Sequence, residues 1–389
     1  MRRISADYIF TLYSEPIPGG VITIDEDETI VNIEPKGATF DQHYSGLICP
    51  GFINTHCHLE LSHMRGQLSE NTGMTGFISE LLQKRSVTSE IEIQKAIADA
   101  EEEMIRNGIV AVGDISNNDS TYSQKALGKL FYHTFIEIFS MHPGKARETF
   151  ESGKRLSGTA SKLNLSNSIA PHAPYTMSED LLKLIDDIST DKVITIHNQE
   201  SEGESELFIS NSGAMYEAFR NMGIDPALMR KTGKNSLMST LPFLLNAKKI
   251  LLVHNTYTSE EDVAWLKSKI QNLKSKIYFA TCPNANIFIE NKLPDYELFI
   301  REHLNVTIGT DSLASNWSLS VLDELKTIAK HHPSIPLQTL LQWSSKNGAE
   351  FFELHKMGTL EKGKRPGLNL LTNVDGLKIT ERTEVERII

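Results

Sequence analysis

Little in the composition of this chain points to a special class of protein, and each scarcity excludes something. Its 389 residues hold only three cysteines, Cys49, Cys57 and Cys282. An odd, scattered set is neither a disulfide framework nor a cysteine zinc knuckle, and it suits a reducing cytosol. No stretch approaches the ~18 continuous apolar residues of a membrane-spanning helix. The first residues, Met1-Arg-Arg-Ile-Ser-Ala-Asp-Tyr8, are basic but have no long apolar run behind them, so they do not read as a secretory signal. A basic excess is missing too: 39 Lys+Arg against 50 Asp+Glu leaves a net charge of −11. Without a basic stripe, neither nucleic acid nor an anionic membrane is expected as the main partner. Hydrophobic residues at 40% and charged residues at 23% exclude wholesale disorder. There is no internal repeat and no low-complexity tract.

What is present is a strong alternation. The first ~50 residues carry β-rich runs, Tyr8–Tyr13, Gly20–Ile24 and Ile30–Ile33, separated by proline, glycine and acidic breaks. Near the other end, Gly358 and Gly363 bracket a turn before the short strand pattern Leu368–Thr372. The spacing predicts one small β-subdomain, a β-sandwich built from both termini (1–50 and 356–389). Between them, eight short apolar runs alternate with amphipathic stretches. The runs are Phe52–Thr55, Ile109–Ile115, Tyr132–Phe139, Ser168–Pro171, Val193–His197, Ile250–His254, Ile277–Thr281 and Val306–Thr310. Helical patterns lie at Ile91–Asn107, Ser178–Ile188, Glu260–Ile270 and Leu319–Lys330, with Ser178 as an N-cap. Eight strands alternating with helices predict an α/β protein whose parallel strands close as a (β/α)8 TIM barrel over residues 51–355. That span exceeds the ~250 residues of a typical barrel, so insertions are expected, one of them over Glu202–Asn246.

In a barrel the reactive groups sit at the C-terminal ends of the strands. The first run ends Thr55-His56-Cys57-His58, and residues i and i+2 of a strand point the same way. The fifth run ends at His197, the sixth at His254, and the eighth at Gly309-Thr310-Asp311, while the fourth leads into His172. Five histidines and an aspartate at strand ends are metal-site chemistry. His56, His58, His197 and Asp311 make a three-nitrogen, one-oxygen set that leaves a position for water, the mark of a catalytic site. A divalent ion would lower the pKa of that water from about 15.7 toward ~7. Glu200, three residues beyond His197, can move a proton between water and a leaving group.

The chain at this point resembles the amidohydrolase superfamily, in its cytosine deaminase-like, adenosine-type aminohydrolase branch. The matching segments occur in family order along essentially the whole chain. They are Pro50-Gly-Phe-Ile-Asn-Thr-His-Cys-His58, His172-Ala-Pro-Tyr-Thr176, Ile196-His-Asn-Gln-Glu-Ser201, Leu252-Val-His254, Cys282-Pro-Asn-Ala-Asn286 and Gly309-Thr-Asp-Ser-Leu-Ala-Ser-Asn316. The resemblance implies one metal, zinc or ferrous iron, on His56, His58, His197 and Asp311. It implies that Glu200 shuttles protons, that His254 orients the attacking hydroxide, and that Asp311 accepts a proton. It implies that His172 faces the substrate and that Ser312 and Asn316 shape the pocket. Two-metal relatives place a carboxylated lysine at the end of the fourth strand. His172 stands there instead, which favours a mononuclear site.

Glu200–Phe208 followed by Asn211–Met215 is similar to aminodeoxyfutalosine, S-adenosylhomocysteine and methylthioadenosine deaminases. That implies hydrolytic removal of the 6-amino group of an adenine nucleoside-like compound in a cytoplasmic enzyme with a small-molecule substrate, and it allows a homodimer. The sequence departs from those relatives at Leu59–His63, His254–Thr258 and Arg365–Leu368. Guanine or cytosine deamination, triazine dechlorination and cyclic amide hydrolysis are the alternatives within the superfamily. A barrel that has lost its chemistry and serves as a structural protein is the alternative outside it. Arg85, Glu80 and Arg147 are candidates for contacts to a substrate's sugar or acid group, although a solvated helix face explains them as well.

Overall fold

The computed structural model describes residues 1–85, 87–270 and 276–389. The eight apolar runs are all strands: β6 (Phe52–Cys57), β7 (Ile109–Ser116), β8 (Phe131–Ile138), β9 (Ser166–Pro171), β10 (Val193–Asn198), β11 (Lys249–His254), β12 (Ile277–Thr281) and β13 (Val306–Ile308). Every pairing among them is parallel, in two four-stranded sheets ordered β6-β7-β8-β9 and β10-β11-β12-β13. The sheets meet at both edges. Just beyond β9, the His172 carbonyl accepts from His197 N at 2.9 Å. At the other edge, Thr310 N donates to the His56 carbonyl at 3.0 Å, and Asn54 Nδ2 donates to Thr310 Oγ1 at 2.7 Å.

The strands are buried on both faces, which is why they read as continuous apolar runs and not as alternating ones. Alternation still sorts the two sides. In β11, Ile250 and Leu252 join the large core under the helices, whereas Leu251 and Val253 join a second core with Ile53, Phe135 and Phe351. The helices begin where capping chemistry allows. Ser178 Oγ accepts Leu181 N ahead of the helix Glu179–Asp186. Ser89 and Glu92 form a reciprocal capping box at the start of Glu90–Arg106.

The terminal segments form one seven-stranded mixed sheet. Its strands are β1 (Arg2–Ile9), β2 (Ile17–Pro18), β3 (Val21–Ile24), β4 (Ile30–Glu34), β5 (Gln42–Pro50), β14 (Leu368–Thr372) and β15 (Glu384–Arg387). Both ends of the chain therefore meet as expected, but as one hydrogen-bonded sheet and not as the two sheets of a sandwich. The central strand β5, parallel to β1 and antiparallel to β14, joins the ends. It escaped sequence reading because Gln42-His-Tyr-Ser-Gly46 is polar and broken by glycine. One face of the sheet surrounds its own core of Ile4, Ile9, Ile22, Ile48 and Leu370, and the other sends Leu47, Cys49 and Leu371 into the main core.

The expected insertion over 202–246 is helical, with helices Glu202–Ser210, Gly213–Asn221 and Ser236–Thr240. A second excursion follows β6 and contains the helix Gly73–Lys84, which the sequence reading missed. The two share one apolar cluster, including Met64, Met74, Phe208 and Phe219.

Candidate active site

Strand β6 delivers His56, and the next alternate position delivers His58, while Cys57 between them enters the apolar core. Strand β10 delivers His197. The segment after β13 delivers Asp311, whose φ of +56° lies in the left-handed region. His254, at the end of β11, has a φ of +71°. Such a conformation is uncommon for a residue with a side chain and costs roughly 1–2 kcal/mol. Here it breaks the strand's alternation at the residue that joins the cluster.

The first three histidines and the aspartate converge. His58 Nε2 lies 3.2 Å from His56 Nε2 and 3.3 Å from His197 Nε2. Asp311 Oδ1 lies 3.5 and 3.3 Å from the Nε2 atoms of His56 and His58. One ligand atom from each of the four lies within 4.8 Å of all the others. The hydrogen-bond chemistry fits a cation at their centre. His197 Nδ1 donates to the His172 carbonyl at 2.8 Å, so its Nε2 carries a lone pair. Burial holds His58 and His197 below the ordinary histidine range, which keeps their rings neutral. Burial opposes ionisation of Asp311, but its contacts with His56 and the neighbouring His58 and His254 outweigh that, and its carboxyl is held below the usual range. Ser315 Oγ donates to Asp311 Oδ2 at 2.5 Å and leaves Oδ1 facing the histidines.

A further trio, Glu137, His172 and His197, also lies within 4.8 Å. It is a poor second metal site, because the remaining nitrogen of His197 already donates a proton to the backbone.

Beside the cluster, Glu200 Oε1 sits 3.4 Å from His254 Nε2. Burial, reinforced by the charges of Asp311, Glu204, Glu290 and Glu137, holds Glu200 well above the carboxyl range and so favours its protonated form. Its backbone is fixed by Glu204, whose carboxylate accepts from the Gln199 and Glu200 amides at 3.0 and 3.3 Å. His254 Nδ1 donates to Asn286 Oδ1 at 2.8 Å, and its Nε2 is a buried acceptor with no hydrogen bond. Burial pulls His254 down to about 4.

A cavity of about 350 Å³ opens onto His58, His197, Glu200, His254 and Asp311. His172 and Ser312 also line it, and Arg85 reaches its wall. Asn316 does not. Its Nδ2 donates to the Thr310 carbonyl and Glu324, and its Oδ1 accepts from the Trp317 and Ser318 amides, so it braces the loop after Asp311. Glu80 bonds to Lys84 and the Ser69 amide, Arg147 is exposed on the helix Ala146–Lys162, and neither lines the cavity. Sequence reasoning missed Glu137, Asp114 and Lys125. Glu137 lines the cavity, and Asp114 pairs with Lys125 beneath it. The signal for both acids was a carboxylate inside an otherwise apolar strand run.

These features agree with what the chain resembles. A sequence profile of the amidohydrolase family matches residues 47–384, and the chain belongs to that family. An adenosine deaminase of Helicobacter pylori is 27% identical over 336 residues, covering 84% of this chain and 79% of that protein. The crystal structure of Helicobacter pylori aminofutalosine deaminase in complex with methylthio-coformycin superposes with a TM-score of 0.81 at 23% identity, covering 98% of this chain and 94% of that one. An adenosine deaminase of Xanthomonas campestris with bound zinc gives a TM-score of 0.67 at 18% identity over 95% of this chain and 84% of its own. Among the described residues no helix is long and apolar enough to cross a membrane.

Proposed function

We propose that this chain is a metal-dependent aminohydrolase that replaces the amino group of an adenine-like ring by hydroxyl and releases ammonia. The observation that carries the reading is the pairing, on one cavity wall, of the buried Glu200 carboxyl with a three-histidine, one-aspartate cluster. The names of the relatives support the adenine nucleoside class. We read the two parallel sheets as one closed (β/α)8 barrel over residues 51–355, with 1–50 and 356–389 as a separate terminal unit. His56, His58, His197 and Asp311 hold the ion, with zinc favoured by the Xanthomonas relative. When bound, the ion supplies Lewis-acid activation of a water molecule.

The chain's own groups do the rest. Water adds to the ring carbon bearing the amine while Glu200 delivers its proton to the adjacent ring nitrogen. Asp311 Oδ1, held in place by Ser315, takes a proton from the water. His254 orients that water through its free Nε2 and stabilises the charge that develops on the adduct's oxygen. A proton returned to the amino group lets ammonia leave, which restores the ring as its hydroxyl or oxo form. The unpaired, buried cysteines fit a cytoplasmic enzyme.

The test is a mass-resolved screen of the metal-loaded protein against adenine nucleosides, guanine, cytosine, triazines and cyclic amides. Exchange of amine for hydroxyl with stoichiometric ammonia is the expected result. Products that gain a whole water, loss of halide from a triazine, or no turnover by metal-loaded protein would each refute the proposal.

A further inference from the structure

Besides Asp311, three residues with side chains have left-handed backbones next to the site: Gln199 at φ +47°, His254 at +71° and Asn255 at +57°. Gln199 immediately precedes Glu200, and His254 and Asn255 are consecutive. A residue with a side chain seldom adopts this conformation, so two in succession need a local restraint.

Asn255 supplies it. The residue is fully buried, and both ends of its amide are engaged. Nδ2 donates to the Leu252 carbonyl at 2.8 Å and to the Ala280 carbonyl at 3.0 Å. Two carbonyls on one side fix which way the amide faces, so Oδ1 is the end that accepts from Asn198 Nδ2 at 3.0 Å. One side chain therefore ties together the ends of β11, β12 and β10. Its backbone amide adds a bond to the Asn198 carbonyl at 3.0 Å.

The anchor at Asn198 is itself held. Asn198 Nδ2 also reaches Gln199 Oε1 at 3.3 Å, and Thr258 Oγ1 donates to the same oxygen at 2.6 Å. Gln199 Nε2 donates to Asp262 Oδ2 at 2.9 Å. The side chains of Asn198, Gln199, Asn255, Thr258 and Asp262 are all buried, and none of them lines the cavity. They form a polar layer behind the wall that carries Glu200 and His254.

We infer that Asn255 is a positioning residue for the reaction. Its amide locks the left-handed turn that aims His254 Nε2 at the cavity, 3.4 Å from Glu200 Oε1, and anchors that turn to the segment carrying Glu200. Asn255 acts through His254 and touches no reacting atom. The inference rests on the deaminase reading and extends it to the group that sets the geometry.

The experiment uses Asn255→Gly in the metal-loaded enzyme, with the adenine nucleoside that wild type turns over fastest. Glycine accepts a positive φ freely, so the variant removes the amide without adding backbone strain. A misplacement of about 1 Å costs up to ~10²-fold in rate, so kcat should fall by about 10- to 100-fold. KM should change by less than about threefold, with metal content unchanged. In a His254→Ala background the same substitution should cost less than about threefold, because the group that Asn255 aims is gone. An unchanged kcat, an equal loss in both backgrounds, or a loss of bound metal would overturn the inference.

If the glycine variant does not fold, Asn255→Asp takes its place. It keeps the size and the bond from Asn198, removes both donations to the carbonyls, and carries the same expectations. Failure of both to fold would overturn the inference in favour of a purely structural role. If wild type turns over no adenine nucleoside, the deaminase reading fails by itself, and crystal structures of the metal-loaded wild type and variant decide. A shift of His254 Nε2 by about 1 Å or more relative to Glu200 upholds the positioning role, and an unmoved His254 overturns it.

Discussion

Beneath the cluster of His56, His58, His197 and Asp311, Lys125 and Asp114 form an ion pair at 2.5 Å, with both side chains fully buried. Lys125 Nζ also donates to Ser116 Oγ at 2.9 Å and Thr134 Oγ1 at 3.2 Å, and it lies over the rings of Tyr122 and Tyr132. Asp114 Oδ1 accepts the Leu59 amide at 2.7 Å, one residue past His58. Lys125→Met keeps the apolar stem among the tyrosines and removes only the charge. It strands the Asp114 carboxylate in a site where water cannot reach it. Removing one partner of such a pair costs about 3–5 kcal/mol, far above the ~0–1 kcal/mol of an exposed pair. Adding Asp114→Asn removes the stranded charge while its Oδ1 still accepts Leu59 N, so the double variant should recover more than half of the loss. The assay is urea unfolding at neutral pH, with all proteins at one fixed metal concentration because bound metal adds stability by mass action. A single variant within about 1 kcal/mol of wild type would refute the reasoning. So would a double variant as unstable as the two single losses summed, since the damage would then be packing and not charge.

Three further outcomes follow from the geometry. Glu200→Gln should retain the metal and lower kcat by about 10²- to 10⁴-fold, the span of lost acid–base catalysis, and normal turnover would remove Glu200 from the mechanism. Ser315→Ala frees Asp311 Oδ2 and should weaken metal affinity by about 10- to 100-fold in competition with a chelator, whereas unchanged affinity would make that hydrogen bond incidental. His133 is buried between Ser166 and Ser168, and burial, with the charges of Lys192 and Lys125, lowers it from 6.5 to about 3. The unfolded chain therefore takes up a proton below pH 6.5 that the folded chain refuses, and stability falls as pH drops from 6.5 toward 3 by up to about 1.4 kcal/mol per pH unit. In His133→Gln that part of the acid slope should vanish from the urea midpoint, and an unchanged slope would show that His133 is not the group responsible.

The strand–helix order of the main unit was legible because parallel strands covered on both faces read as apolar runs, and because polar residues at their ends stand out. His56, His58, His197, His254 and Asp311 are all visible in that way. Asn316 lies away from the cavity for a local reason: its amide is fully occupied in bracing the loop after Asp311.

The sequence alone determined the order of elements, the residue types at the strand ends and the family-wide motifs, since these depend on short-range periodicity. Three things were left to tertiary structure. Strand β5 exists because β1 and β14 flank it, not through any apolar pattern of its own. His254 joins the cluster because its backbone turns left-handed at the end of β11. Glu200 holds its proton more tightly than an exposed carboxyl because folding buries it and sets the charges of Asp311, Glu290 and Glu137, distant in sequence, around it. A carboxyl group's residue type is written in the chain, but its protonation is set by the dielectric and the charges that folding places around it.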